Sequence, residues 1–126
     1  MRAFGELEAE IMRVVWQSAE PVTVRDLADA LGERRTLAYT TVMTVTERLR
    51  EKGWLSRSKA GRSYQYRAAR SADDYTAELM GQALDASTDR ANALVRFAGL
   101  LDPREAATLR DALAHLPPEA NRPAGA

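Results

Sequence analysis

The chain has 126 residues with 18 basic and 18 acidic side chains, and it is 45% hydrophobic and 29% charged. That length allows one domain or two small ones, and the composition is globular, with no stretch apolar enough for a membrane span. The lack of cysteine excludes a disulfide framework, a thiolate zinc site and a thiol nucleophile. With Glu6, Glu8 and Glu10 inside the first apolar pattern there is no signal peptide, so the expectation is a cytoplasmic protein without membrane insertion.

The first helix is predicted over residues 5–17, where Leu7, Ile11, Val14 and Val15 recur on one face; Ser18-Ala19-Glu20-Pro21 breaks it. Residues 22–24 suit a very short strand. A second helix over 24–31 opens on Thr23, with Asp26 three positions on as a capping-box variant. It turns Val24, Leu27, Ala28 and Leu31 to a core and ends at Gly32. Residues 33–39 read as a connector. The third helix, 40–52, stops at Gly53 and buries Val42, Val45 and Leu49, with Thr40, Thr41, Met43, Thr44, Glu47, Arg48 and Glu51 elsewhere on its surface. Threonines at 40, 41, 44 and 46 are poor helix formers. On an exposed helix, however, short hydroxyl side chains permit close approach to a surface and offer hydrogen bonds and methyl groups to bases. The competing reading is half-buried packing.

Two strands follow, 54–58 and 63–68, joined by the tip Lys59-Ala60-Gly61-Arg62, in which Gly61 supplies a positive φ. Tyr64 and Tyr66 share one face by alternation and read as hairpin packing; Trp16 and Trp54 read as core. The rest is helical. Ser71 with Asp74 resembles a capping box for a helix to residue 87 that buries Leu79, Met80, Ala83 and Leu84. A fifth helix over 90–101 carries Ala91, Leu94, Val95, Ala98 and Leu101 on one stripe. Asp102-Pro103-x-Glu105 places an N-cap, a proline at N1 and a glutamate at N3 for a sixth helix to Leu116, with Ala106, Leu109 and Leu113 inward. Pro117-Pro118 ends it, and the Pro/Ala/Gly-rich tail is expected to be disordered. His115, the lone histidine, reads as a surface residue near the negative end of that helix, not as a metal ligand.

The zero net charge hides an asymmetry. Residues 1–70 hold 13 bases and 9 acids, and residues 71–126 hold 5 bases and 9 acids. Within 34–70 there are ten bases against Glu47 and Glu51 alone. A basic segment that runs from a Thr-faced helix through a glycine stop into a basic hairpin has the order of a DNA-reading winged helix–turn–helix. The predicted fold is therefore mainly α with a small β-hairpin wing: a winged helix–turn–helix over 1–70, a three-helix dimerisation domain over 71–116, and a tail over 117–126. Thr40, Thr41, Met43, Thr44 and Arg48 form the predicted groove-facing surface, with Arg48 reaching phosphate or guanine unless it is held in a surface ion pair. Arg57, Lys59 and Arg62 form the wing and meet phosphates. Arg34, Arg35 and Tyr39 precede the reading helix and are expected near the backbone of the duplex, Tyr39 completing the predicted DNA-binding set.

A helical segment of this size is short for a core of its own. Phe97 and Leu100 also add apolar surface outside the stripe of the fifth helix. Pairing with the same segment of a second chain buries both. The interface predicted for that homodimer comprises Leu79, Met80, Leu84, Leu94, Val95, Phe97, Ala98, Leu101, Leu109 and Leu113. A two-fold dimer presents two reading helices to a palindrome.

The run AYTTVMTVTERLREKGWLSRSKAGRSYQYRA, from Ala38 to Ala68, resembles the penicillinase-repressor family (the BlaI, MecI and CopY type), as does the spacing Leu7-Glu8-x-x-Ile11-Met12-x-x-Val15-Trp16. The resemblance covers about residues 5–116 and is nearest to actinobacterial members. It implies a dimeric winged-helix repressor, without a cofactor, that binds double-stranded operator DNA. In the β-lactam-response members of the family it further implies release by proteolysis under a membrane sensor-protease system. The corresponding bond here is near Arg96-Phe97, where the better-known members carry Asn before the Phe. The copper-responsive members use a cysteine hook, which this chain lacks. No catalytic set is present: there is no Cys, one His, and no phosphate-binding glycine loop. Besides the repressor, two readings stay open on the residues alone, a ligand-sensing regulator and a winged-helix protein-interaction module.

Overall fold

The computed structural model describes residues 3–32 and 38–117. Its elements are α1 (Glu6–Gln17), α2 (Val24–Gly32), α3 (Tyr39–Glu51), β1 (Leu55–Ala60), β2 (Ser63–Ala68), α4 (Ala72–Asp85), α5 (Arg90–Ala98) and α6 (Pro103–Ala114). The order is the one predicted, mainly helical with one antiparallel hairpin. Arg34, Arg35 and the residues from 118 onward lie outside the described residues. The chain divides into two compact units, 1–82 and 83–126.

In the first unit the apolar stripes of three helices meet beneath the hairpin. Ile11, Met12 and Val15 of α1, Leu27 and Leu31 of α2, and Val42 and Leu49 of α3 are buried together with Trp54, Leu55 and Tyr66. Two details differ from the sequence reading. Met12 is fully buried, whereas Leu7 and Val14 are only partly so. Thr46 takes the core place expected for Val45: it is fully buried, and its Oγ1 donates to the Val42 carbonyl at 2.7 Å. A threonine that satisfies its hydroxyl within its own helix can enter a core without an unmet hydrogen bond.

Local signals fix the helix starts. Thr23 and Asp26 exchange bonds, Thr23 N–H to Asp26 Oδ2 at 2.9 Å and Asp26 N–H to Thr23 Oγ1 at 3.0 Å. Ser71 and Asp74 repeat the pattern at 3.0 Å each. Both are reciprocal caps that satisfy donors a helix end leaves open.

The hairpin pairs from Leu55↔Ala68 to Ala60↔Ser63, so β1 starts one residue later and ends two later than predicted. The loop is two residues, Gly61-Arg62, not four. Positive φ falls on Gly61 (66°) and on no described non-glycine residue, which is the II′ pattern suited to strand twist. The short strand expected at 22–24 is a single antiparallel bridge, Val22↔Tyr66, with N–H···O bonds of 2.9 and 2.7 Å in the two directions.

The first turns of α4 belong to this unit because of aromatic packing. Tyr75 stacks on Phe4 with ring centroids 4.0 Å apart and meets Trp54 edge-on at 5.5 Å. The Tyr75 hydroxyl accepts the Phe4 N–H at 2.8 Å. The Trp16 Nε1–H donates to the Arg70 carbonyl at 2.9 Å, and the Arg70 guanidinium lies 4.4 Å from the Trp54 ring centroid. Trp54 is buried as predicted, and Trp16 is half-buried.

In the second unit, Asp89 caps α5 by accepting the Asn92 N–H at 3.1 Å. Helix α5 ends at Ala98, not at Leu101. The Leu100 and Leu101 N–H groups donate instead to the Phe97 and Ala98 carbonyls, a tight turn that keeps the apolar pattern running past the helix. Asp102 and Glu105 cap α6 reciprocally at 2.8 and 3.0 Å, with Pro103 in the first turn. Helix α6 stops at Ala114, two residues short of the prediction, with His115 as its C-cap and the His115 Nδ1 2.7 Å from the Asp111 carbonyl. No residue of α4, α5 or α6 is buried within the chain. That corrects the expectation that α4 buries Leu79, Met80, Ala83 and Leu84 by itself: Leu79 and Leu84 are half-buried, and Met80 and Ala83 are exposed.

Removing the Tyr75 hydroxyl (Tyr75→Phe) is expected to cost about 1 kcal/mol, one hydrogen bond. Tyr75→Ala, which also removes the stacked ring, is expected to cost about 3 kcal/mol. Urea unfolding followed by tryptophan fluorescence checks both.

Candidate nucleic-acid interface

Because α3 buries Val42, Thr46 and Leu49, its opposite side is left bare. Thr40, Thr41, Thr44 and Arg48 are exposed along one flank, with half-buried Val45 at its edge; together they line a shallow groove. The Thr44 hydroxyl donates to the Thr40 carbonyl at 2.8 Å, which spends its proton and leaves its oxygen free to accept. Tyr39 and Met43, 45% and 41% exposed, lie on the other flank. They line a second hollow with Arg25, Arg62 and Tyr64. All five residues predicted for the reading surface are therefore on the bare side of α3, in two flanks, and Tyr39, expected just ahead of the helix, is its first residue.

The hairpin carries Arg57, Lys59 and Arg62 on exposed positions, but the three differ. Arg62 is in the two-residue loop, and Lys59 is the next-to-last residue of β1. Arg57 is held inward: its Nη1 donates to Glu47 Oε1 at 2.8 Å, and its guanidinium lies 4.0 Å from the Tyr64 ring centroid.

Glu47 is the residue the sequence reading left as an ordinary surface acid. Its Oε1 accepts from Arg57 and, at 3.1 Å, from Arg50 Nε; its Oε2 accepts from the Tyr66 hydroxyl. Burial pushes the Glu47 carboxyl up, but the bonds from Tyr66 and Arg50 and the charges of Arg50 and Arg57 outweigh it and hold the group below its ordinary 4.5. Burial, followed by the bond to Glu47, raises the Tyr66 phenol above 10.0. Nothing in the local pattern marks Glu47; the signal lies in the register, which sets Tyr66 opposite Arg57. Two further contacts also escaped the sequence reading. Arg25 of α2 lies 5.7 Å from the Tyr39 ring centroid, and Lys52 pairs with Glu8 of α1 at 2.9 Å.

The ten residues predicted for a dimer interface are all half-buried or exposed in the single chain. Leu79, Leu84, Phe97 and Leu101 are half-buried, and Met80, Leu94, Val95, Ala98, Leu109 and Leu113 are exposed. Leu100 and Leu116, outside that set, are 80% and 43% exposed. Arg96 and Phe97 are in the last turn of α5, exposed and half-buried respectively. Among the described residues no cluster of three or more His, Asp or Glu side chains could hold a metal ion.

Three helices around one core, a bare third helix and a hairpin fastened beside it define a winged helix–turn–helix. The chain belongs to the penicillinase-repressor family, whose model matches residues 4–115. It is 42% identical over 115 residues to the transcriptional regulator BlaI of Mycobacterium tuberculosis, in two strains, covering 89% of this chain and 83% of the relative. It is also similar to the solution structure of the DNA-binding domain of a BlaI repressor, at 28% identity and a TM-score of 0.52 over 57% of this chain and 87% of that one. A third match is the monomeric form of Bacillus licheniformis BlaI in complex with the blaP half-operator, at 27% identity and a TM-score of 0.50 over 59% of this chain and 89% of that one.

The Glu47 network has a pH signature. A carboxyl with a lowered folded pKa contributes stability that is present above about pH 4.5 and is lost as pH falls through the folded value. The stability gap between wild type and Glu47→Gln, which does not titrate, is expected to narrow between pH 7 and pH 3. Denaturant titrations at both pH values check it.

Proposed function

We propose that this protein is a DNA-binding transcriptional repressor of the BlaI type, a regulator and not an enzyme, that reads duplex operator DNA as a homodimer. The observation that carries the reading is the bare side of α3, hydroxyl-rich and ending in Arg48, with the cations of the hairpin tip beside it. Thr40, Thr41 and Thr44 suit close contact with base edges and thymine methyls, and Arg48 suits guanine or phosphate. Tyr39 and Met43 fill the flank toward the hairpin, and the wing cations meet the phosphate backbone. The half-operator complex of the B. licheniformis relative supports the same partner here. A duplex-DNA partner places the working protein in the cytoplasm; among the described residues no helix is long and apolar enough to cross a membrane.

The homodimer rests on the C-terminal helices. Val95, Leu100 and Leu113 are 70%, 80% and 56% exposed in the single chain, far more apolar surface than a short helical segment leaves to water without a partner. Two linked readers gain effective concentration on a two-half-site duplex, typically about 10²- to 10⁴-fold in avidity. Release follows the β-lactam-response pattern: a cut between Arg96 and Phe97, under a membrane sensor-protease system, removes α6 and with it part of the proposed dimer face. Compared with a protein-interaction module or a ligand sensor, the repressor reading alone uses both the exposed threonines and the cations.

Affinity for duplex DNA is expected to fall steeply with salt, each neutralised phosphate adding about −0.9 to the log–log slope. Arg62→Ala should weaken all sequences alike, whereas Thr44→Ala should cost about 1 kcal/mol of discrimination at one base pair. Anisotropy titrations on a duplex panel separate the two. A fragment ending at Gln82 keeps the packed first unit and is expected to be monomeric where the full chain is dimeric. Sedimentation equilibrium decides this, and a dimeric fragment contradicts the proposed interface.

A further inference from the structure

We propose that Glu47 is a positioning residue that binds Arg57 as the anchor of the wing to α3, leaving Lys59 and Arg62 as the hairpin cations that meet phosphate. This rests on the DNA-binding reading and divides the wing, which the sequence alone treats as three equivalent cations.

The argument is one of charge already committed. Glu47 is 25% exposed and Arg57 31% exposed at the side chain, and they meet at 2.8 Å. The Arg57 guanidinium also lies against Tyr64, 4.0 Å from the ring centroid, and sits opposite Tyr66, whose hydroxyl is bonded to the other Glu47 oxygen. The carboxylate, the ring and the cross-strand neighbour thus hold one cation from three sides. Arg50 of α3 also donates to Glu47 Oε1, at 3.1 Å, but it lies three residues away on the same helix, so Arg57 is the cation through which Glu47 reaches the hairpin. For Arg57 to grip a phosphate it must leave a carboxylate of the same charge. That exchange costs the 2.8 Å ion pair and the contact with the Tyr64 ring, a cost that Lys59 and Arg62 do not meet. Lys59 lies 5.8 Å from the same Tyr64 centroid and Arg62 is in the loop; neither pairs with a carboxylate among the described residues. Glu47 is also the one described carboxylate of α3 bonded to the hairpin, through Arg57 and Tyr66, 10 and 19 residues away. It thereby sets where the wing tip stands beside the bare face of α3.

The test is the salt dependence of binding by the full-length chain to one duplex that the protein selects from a random-sequence pool. Lys59→Ala and Arg62→Ala are each expected to make the log–log slope shallower by about 0.9. Arg57→Ala is expected to weaken binding at every salt concentration with the slope unchanged, since it loosens the wing without removing a phosphate contact. Glu47→Gln, which keeps the shape and frees Arg57, is expected to steepen the slope by about 0.9, and Glu47→Gln/Arg57→Ala to restore it. An Arg57→Ala slope as shallow as that of Arg62→Ala, or an unchanged Glu47→Gln slope, overturns the proposal and leaves the DNA reading standing. A wild-type slope near zero removes the DNA reading, and this proposal with it.

Discussion

Tyr66 is where the hairpin is fastened to the helices. Its N–H and carbonyl both bond to Val22, its ring is buried in the core, and its hydroxyl donates to Glu47 of α3. A two-stranded hairpin is marginal in water by itself; here one residue ties it to the segment before α2, to the core and to α3 at once. Because Tyr66 stands opposite Arg57, the same fastening brings a cation onto Glu47 and leaves the loop, with Arg62, at the far end of the strands. The separation of the wing into a held base and a free tip follows from that one position.

The second constraint is that α3 has only thirteen residues and one face to give to a small core. Val42, Thr46 and Leu49 use that face, and the side left over carries three threonines and Arg48 on one flank and Tyr39 and Met43 on the other. Charge follows the same division along the chain: the bases gather between 34 and 70, and the acids dominate after 71. In the second unit the helices are well capped, yet none of their residues is fully buried within the chain. The backbone of those helices is locally specified, while Leu94, Val95, Leu100 and Leu113 stay at least half exposed, a combination that suits assembly with a second copy.

How much of this could be read from the sequence depends on the range of each signal. The reciprocal bonds of Thr23 with Asp26, Ser71 with Asp74 and Asp102 with Glu105 are three-residue signals, and all three are formed. The bare side of α3 follows from its periodicity, but the residue type of Thr46 does not mark it as core, because its hydroxyl is satisfied within its own helix. The end of α5 was overrun because the apolar pattern continues through a turn at Gly99. The second strand has the predicted bounds, and the first runs two residues further because the loop takes two residues and not four. The Glu47–Arg57–Tyr66 contact and the Phe4–Tyr75 stack were beyond reach: they join residues 10, 19 and 71 apart, and only the assembled register and packing bring them together.

The account holds that the bare side of α3 and the tip of the hairpin are the surface that meets duplex DNA. Backbone amide NMR of the isotopically labelled full chain, titrated with a duplex it has selected, tests this most directly. The account predicts that shift changes concentrate at residues 39–48 and 59–63, with α5 and α6 unmoved. Changes concentrated on α5 and α6, with residues 39–48 silent, would contradict it.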